Sequence, residues 1–122
     1  MTARESGPIR LVNRTRGALL AERVELAVAM AERLRGLLGR TELPRGTALA
    51  IAPCAAIHTF FMKFAIDAVF LDGSGRVVRV LSDLRPWRAT RFHRHAAQVV
   101  ELPAGTVART GTREGDQLTF ET

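Results

Sequence analysis

Residues 65–81 read AIDAVFLDGSGRVVRVL, and this stretch decides the fold class of the chain. An apolar run at 65–71, rich in Ile, Val and Phe, is followed at 72–75 by Asp-Gly-Ser-Gly, the clearest turn in the sequence. Residues 76–81 then place valines between arginines in an imperfect alternation. Two β-type runs joined by a glycine-containing turn are typical of an antiparallel hairpin, and we predict one here.

Short apolar runs separated by turn-forming residues continue this pattern in both directions. We predict an opening hairpin at 9–12 and 17–20, a strand through Val24 and Leu26, further strands at 47–52, 98–102 and 118–120, and extended chain at 57–62. Helical spacing of apolar residues predicts a short helix at 29–38, and a turn or second short helix follows 103–105. These elements favour a mainly β (α+β) fold, a compact antiparallel β-sandwich or barrel-like domain.

Composition sets the size and the expected class of the protein. At 122 residues and 47% apolar, the chain is long enough to bury a core without metal or disulfide support. We expect a flexible tail at 1–8 and a single β-rich domain at 9–122. One cysteine excludes an internal disulfide. The polar start lacks the apolar stretch of a secretory signal, and charges interrupt every long apolar run, so we expect a soluble cytoplasmic protein without membrane insertion or cofactor.

The segment before the hairpin concentrates the residues able to do chemistry. Residues 53–64 read PCAAIHTFFMKF and include the only cysteine and the only lysine of the chain. Apolar walls with a few polar groups are typical of binding pockets. We predict a non-catalytic binding module for a small polar or anionic ligand or a partner segment, with a pocket formed by His58, Phe60, Met62, Lys63, Asp67 and Trp87. Lys63 is either a solvated cation or an anion contact partnered by Asp67 or Glu101.

Two other functions stay open. Residues 85–95 read RPWRATRFHRH in a chain of net charge +6, a composition that suits nucleic acid or another polyanion. That hypothesis uses four cations: Arg85, Arg88, Arg91 and Arg94. The other hypothesis is a hydrolase or transferase in which His58 activates Cys54 and Asp67 orients the histidine. No metal site is predicted, because the spacing of Cys54 and His58 in an extended chain is about 13 Å.

The order of four motifs identifies a family resemblance. These motifs are RLRGLLGR at 33–40, IHTFFMKFAIDAVFLD at 57–72, ELPAG at 101–105 and GTREGD at 111–116. Over residues 24–120 the chain resembles the uncharacterised family called domain of unknown function 192. The resemblance implies a single small domain of mainly β structure and supplies no reaction. The matching motif positions are Arg35, Gly36, Arg40, Met62, Lys63, Asp67, Glu101, Pro103, Gly105, Gly115 and Asp116.

Several motif positions have structural explanations. Gly36 allows a helix to pack closely on a sheet, and Gly105 and Gly115 suit backbone of positive φ. Asp116 is placed to accept backbone N–H groups in the turn before the last strand. Ion pairs from Arg35 or Arg40 to Asp67 or Glu101 would connect helix to sheet, so the motif charges indicate either a structural network or a site.

Overall fold

The computed structural model describes residues 8–27 and 41–122, and these residues form two β-sheets. The strands are β1 (Arg10–Asn13), β2 (Ala18–Ala21), β3 (Arg23–Ala27), β4 (Thr47–Ile51), β5 (Ile66–Leu71), β6 (Val77–Leu84), β7 (Gln98–Pro103) and β8 (Leu118–Glu121). One short helix, α1 (Thr106–Thr110), follows β7. The smaller sheet has the order β2-β1-β8, and the larger has the order β3-β4-β7-β5-β6.

The two sheets pack face to face around one core. Leu11 and Leu118 of the smaller sheet belong to the same buried cluster as Val69 and Val100 of the larger sheet, and Val107 of α1 joins them. Alternate residues of the larger sheet project from its other face, because side chains alternate along a strand. Each sheet therefore contributes one apolar face to the space between them, as in a β-sandwich.

A second core covers the outer face of the larger sheet. Ile66, Ala68 and Phe70 of β5 lie there with Ile57 and Met62, which come from the loop before β5. All six residues of β5 are buried, because this strand lies inside the sheet and has a core on each side. That double burial explains why its sequence is an almost continuous apolar run.

The prediction of a mainly β fold with a sandwich arrangement is confirmed, and the described strands form no closed barrel. The hairpin predicted at 65–81 is β5 paired with β6, in antiparallel register across the turn at 72–75. Asp72 fixes this turn, since its Oδ1 accepts hydrogen bonds from the backbone N–H groups of Ser74 and Arg76 at 2.9 and 3.0 Å.

One strand pair differs from the expected antiparallel arrangement, and some predicted elements lie outside the described residues. β3 and β4 pair in parallel, whereas the other strand pairs described are antiparallel. Residues 1–7 of the expected tail, the predicted helix at 29–38 and the motif residues Arg35, Gly36 and Arg40 lie outside the described residues. Within the described part, no helix has the length and apolar character needed to cross a membrane.

The turn before β6 also connects the two sheets. Gly75 has a φ of 89°, and its carbonyl oxygen accepts a hydrogen bond of 2.9 Å from the N–H of Leu118. A Cβ atom at this position would lie 2.5 Å from the carbonyl oxygen of Leu118. Only glycine fits here, because any other residue brings both left-handed strain and a backbone clash.

We therefore expect Gly75→Ala to lower the free energy of unfolding by about 2–4 kcal/mol, from left-handed strain and overpacking together. Gly73→Ala is the matched control, since a Cβ atom added at Gly73 would meet no other part of the described chain within 4 Å. The control should stay within about 0.5 kcal/mol of the parent chain. Urea unfolding measures both, and equal stability of the two variants would contradict the assignment.

A buried acid supports the last turn of the chain. Asp116 Oδ2 accepts hydrogen bonds from Arg16 Nε at 2.7 Å, Asn13 Nδ2 at 2.9 Å and the N–H of Arg113 at 3.1 Å. Burial alone would raise the pKa of Asp116, but these hydrogen bonds and the charge of Arg16 together lower it. The predicted backbone contact of Asp116 is thus confirmed, and so is the positive φ of Gly115, at 92°.

Because the pKa of Asp116 is lowered by folding, its carboxylate stabilises the fold above about pH 4, the range of an unfolded aspartate. That contribution is lost as the pH falls through the folded pKa. We expect Asp116→Asn to be less stable than the parent at pH 7 and the difference to shrink below about pH 4. Thermal unfolding of both chains from pH 7 to about pH 3 tests this. A difference that stays constant across the range would argue against a stabilising charge.

Candidate functional site

Two loops on the outer side of the larger sheet are joined through one buried threonine. The first loop, 52–65, precedes β5, and the second, 85–97, precedes β7. Thr59 is fully buried, and its hydroxyl donates to the carbonyl of Arg85 at 2.6 Å and accepts from the N–H of Arg88 at 3.0 Å. Its backbone N–H and carbonyl bond to the carbonyl of Arg88 and the N–H of Trp87 at 2.8 and 3.0 Å. These four hydrogen bonds fix the tip of one loop to the other.

Further hydrogen bonds connect the two loops beyond Thr59. Thr90 N–H donates to the carbonyl of Ile57 at 2.9 Å, and Thr90 Oγ1 accepts from the N–H of Ile57 at 3.0 Å. His93 N–H donates to the carbonyl of Ala55 at 2.9 Å. The two loops therefore behave as one unit with the sheet beneath them, because hydrogen bonds between their backbones tie them together at several points.

Four rings stand in a row on this unit, and we call the row the aromatic surface: His58, Phe60, Phe61 and Trp87. The centroids of His58 and Phe60 are 4.8 Å apart, those of Phe60 and Trp87 are 6.0 Å apart, and those of Phe61 and Trp87 are 4.7 Å apart. Phe61 and Trp87 remain 65% and 56% exposed. Large aromatic side chains normally bury their area, so the exposure of these rings makes the row a candidate interaction surface.

The backbone of the aromatic surface is strained at its two most exposed rings. Phe61 has a φ of 68° and Trp87 has a φ of 64°. Left-handed backbone is unfavourable for bulky residues and persists only where the surroundings impose it. Here the surroundings include Thr59, whose carbonyl accepts the N–H of Trp87. Both rings point outward from this left-handed backbone. Because they are exposed, burial contributes little free energy to offset the backbone strain.

His58 has a defined orientation within the row. Its Nδ1 accepts a hydrogen bond of 3.2 Å from the N–H of Phe60, so the neutral ring carries its proton on Nε2. Its ring stacks on Phe60 with an interplanar angle of 28°. These two contacts fix the orientation of the His58 ring within the row.

Five exposed cations lie on the two loops that carry the aromatic surface. Lys63, Arg85, Arg88, Arg91 and Arg94 are all exposed. Arg85 Nε lies 3.7 Å from Asp83 Oδ2, while no carboxylate of the described residues lies within 4.0 Å of the other four cations. Residues 85–97 contain no acidic residue. The two loops that carry the aromatic surface therefore contain positive charge and no acidic residue.

The structure brings together only part of the predicted pocket. His58, Phe60 and Trp87 belong to the aromatic surface, and Lys63 is exposed close to it in sequence. Met62 is 3% exposed and packs in the outer core. Sequence reasoning missed Phe61 as a site residue, because the extended chain predicted at 57–62 is wrong at 60–61. These two residues form a turn in which Phe61 has a φ of 68°, so both phenylalanine rings reach Trp87.

Asp67 has a structural position on the other side of the sheet. It alternates with Ile66 and Ala68 of the outer core, so its side chain faces the core between the sheets. Its Oδ1 accepts the N–H of Asp83 at 2.8 Å, and its Oδ2 accepts those of Gly105 and Val107 at 3.1 and 2.9 Å. Asp67 is thus engaged by backbone and does not border the aromatic surface.

This placement bears on the predicted catalytic group of Cys54, His58 and Asp67. Asp67 cannot orient His58, because the sheet separates them and three backbone N–H groups occupy the carboxylate. Cys54 is half-buried, and its thiol donates to the carbonyl of Ala56 at 3.1 Å. The three residues do not form a connected nucleophile, base and acid.

The remaining motif residues lie around the end of β7. Glu101 is fully buried and, because it alternates with Val100 and Leu102, faces the outer side of the sheet. Pro103 ends β7, and Gly105 has a φ of 97° that allows the chain to turn into α1. A groove of about 690 Å³ lies beside this corner, between β2 and α1. None of the predicted pocket residues lines it.

Comparison with known proteins gives a consistent result over nearly the whole chain. The model of the family domain of unknown function 192, described as uncharacterised ACR, matches residues 11–120. A UPF0127 protein of Thermococcus sibiricus is 34% identical over 119 residues, which cover 91% of this chain and 74% of the relative. A UPF0127 protein of Pyrococcus furiosus is 33% identical over 113 residues, covering 88% and 95%.

A solved structure shares the fold. The crystal structure of a candidate transcription regulator from Sinorhizobium meliloti superimposes with a TM-score of 0.76 at 26% identity, covering 92% of this chain and 91% of that one. The likeness therefore extends from sequence to architecture.

If Thr59 holds the two loops together, its hydroxyl is needed for the order of the aromatic surface. We expect Thr59→Val to lower the free energy of unfolding by about 2 kcal/mol, because the carbonyl of Arg85 and the N–H of Arg88 lose their partner. Trp87 is the only tryptophan and there is no tyrosine, so its emission anisotropy reports the loop directly. Anisotropy should fall in this variant and stay unchanged in Thr41→Val, at an exposed threonine. Unchanged anisotropy in Thr59→Val would mean that another contact fixes the loops.

Proposed function

We propose that this chain, which belongs to the family domain of unknown function 192, is a non-catalytic binding module whose aromatic surface holds an anionic partner. The observation that carries the proposal is the combination of strain and exposure at Phe61 and Trp87. The fold gains little from two rings held outward on left-handed backbone. A surface kept at a cost in stability is typical of a functional surface.

The shape of the region supports binding over catalysis. The rings form an exposed row fixed by backbone hydrogen bonds, and the polar groups predicted to act on a substrate are dispersed. Rigid aromatic side chains supply large contact area with little loss of rotamer entropy, so they suit recognition. Chemistry would instead require a nucleophile, base and acid in mutual contact.

The charge of the region supports an anionic partner. Exposed lysine and arginine side chains lie on the same two loops as the rings, and residues 85–97 contribute no negative charge. Positive potential beside apolar rings attracts partners that combine negative charge with flat or apolar parts. The structurally similar protein of Sinorhizobium meliloti carries the name of a candidate transcription regulator.

The test uses glycine, because glycine removes the ring and the strain together. Phe61→Gly should leave the free energy of unfolding within about 1 kcal/mol, since relief of left-handed strain offsets the loss of ring contacts and the added backbone entropy of the unfolded chain. Binding should be lost. The readout is Trp87 emission during titration with three probes: poly-glutamate, a nucleoside monophosphate and a single-stranded oligonucleotide.

We expect a saturable change in emission with at least one probe, absent in Phe61→Gly. Phe92→Ala is the matched control, because Phe92 is 73% exposed and forms no ring pair among the described residues. This control should bind like the parent. Failure of all three probes, or equal binding by Phe61→Gly, would overturn the proposal.

A further inference from the structure

We infer that the anionic partner is single-stranded nucleic acid, with bases stacking on Phe61 and Trp87 and phosphates contacting the arginines of the 85–97 loop. This inference rests on the proposed function and names the partner of the same surface. Binding of a single strand requires two kinds of group side by side on one rigid unit: exposed rings for the bases and accessible cations for the phosphates.

The rings provide a place for bases to stack. Phe61 and Trp87 are more than half exposed, and their centroids are 4.7 Å apart at an angle of 58°. His58 and Phe60 extend the row behind Trp87, at angles of 28° and 29° between successive rings. Stacking is tolerant of sequence because every base has a π-face, but it needs a base that is not enclosed in a duplex. A row of exposed rings therefore selects single strands.

The cations lie on the same unit as the rings. Arg88 follows Trp87 directly, and its backbone bonds to Thr59, so the guanidinium group and the indole ring originate from one fixed turn. Arg91 lies further along the same loop, after Thr90, which is bonded to Ile57. Neither arginine has a carboxylate partner within 4.0 Å among the described residues. Both are available to meet phosphates.

His93 anchors the loop that carries the arginines, and two arginine charges act on its ring. Burial lowers the pKa of His93, and the charges of Arg79 and Arg91 lower it further, against an opposing effect of Glu114. Its ring packs edge-on against Phe70 with centroids 4.5 Å apart, so the loop that carries the arginines is fixed to β5 at this point.

An acidic peptide would satisfy the cations but not the rings. Carboxylate side chains present no aromatic ring to Phe61 or Trp87, whereas each nucleotide supplies one base and one phosphate. Trp87 lies between Arg85 and Arg88 in the sequence, which corresponds to that pairing of charge and ring.

The experiment measures binding of the full chain to four probes by fluorescence anisotropy of a 5′-labelled strand and by Trp87 emission. The probes are an oligo(dT) of about 12 nucleotides, an abasic strand of equal length, a duplex of equal length and poly-glutamate. The abasic strand keeps the phosphates and lacks the bases. We expect oligo(dT) to bind about 10- to 100-fold more tightly than the abasic strand, the loss expected when stacking on one base is removed.

Four outcomes separate the inference from the proposed function. Tightest binding of oligo(dT) with quenching of Trp87 supports both. Equal binding of the abasic strand or the duplex overturns the inference, because base stacking then contributes nothing. Saturable binding of poly-glutamate alone leaves an anion-binding module and overturns the nucleic-acid assignment, and no binding of any probe overturns both.

Paired variants test the two contributions separately. Each phosphate contact to a single strand contributes about −0.7 to the slope of log Kobs against log salt. Arg88→Gln with Arg91→Gln should therefore reduce the magnitude of the slope by about 1.4. The matched control is Arg23→Gln with Arg45→Gln, which makes an equal change in charge at exposed positions. These positions lie near β3, at the edge of the larger sheet opposite β6. Equal slopes for the two pairs would show that net charge alone attracts the strand and would overturn the proposed contacts.

Discussion

The buried carboxylate of Asp67 holds together the part of the sandwich where most elements meet. It lies on β5 and accepts backbone N–H groups from Asp83 near the end of β6, from Gly105 before α1 and from Val107 within α1. A buried charge is tolerated only where hydrogen bonds replace water, and three donors fulfil that condition here. The hairpin, the end of β7 and the helix are positioned relative to one another through this single side chain.

Thr59 has a comparable role on the opposite side of the sheet. Both residues are fully buried, and both satisfy backbone groups of distant segments with side-chain oxygen atoms. Thr59 differs in what it supports, since its partners belong to the loop that carries Trp87 and the arginines. The fold therefore separates stability, organised around Asp67 between the sheets, from recognition, organised around Thr59 on the outer face.

The extent to which sequence predicted this structure depends on the range of each interaction. The turn at 72–75 and the positive φ of Gly105 and Gly115 follow from residues that favour those conformations wherever they occur. The role of Asp67 could not be predicted, because its partners lie 16, 38 and 40 positions away and β5 is buried on both faces. Alternation along such a strand does not reveal which face an acid occupies. The outward orientation of the rings could not be predicted either, because the other loop imposes their backbone conformation.

The irregular shape of β6 limits its pairing with strands of other molecules in crowded solution. β6 is an edge strand, and its pairing with β5 shifts register twice, once near Ile66 and once near Phe70. At its start, Val77 exchanges hydrogen bonds with Gly115 and Asp116, which cover the open side. At its end, Asp83 has a φ of 53° and turns inward to Asp67. A strand that is bent, covered and twisted in this way is a poor template for a strand of another chain, so the sandwich is guarded against fibrous self-association along this edge.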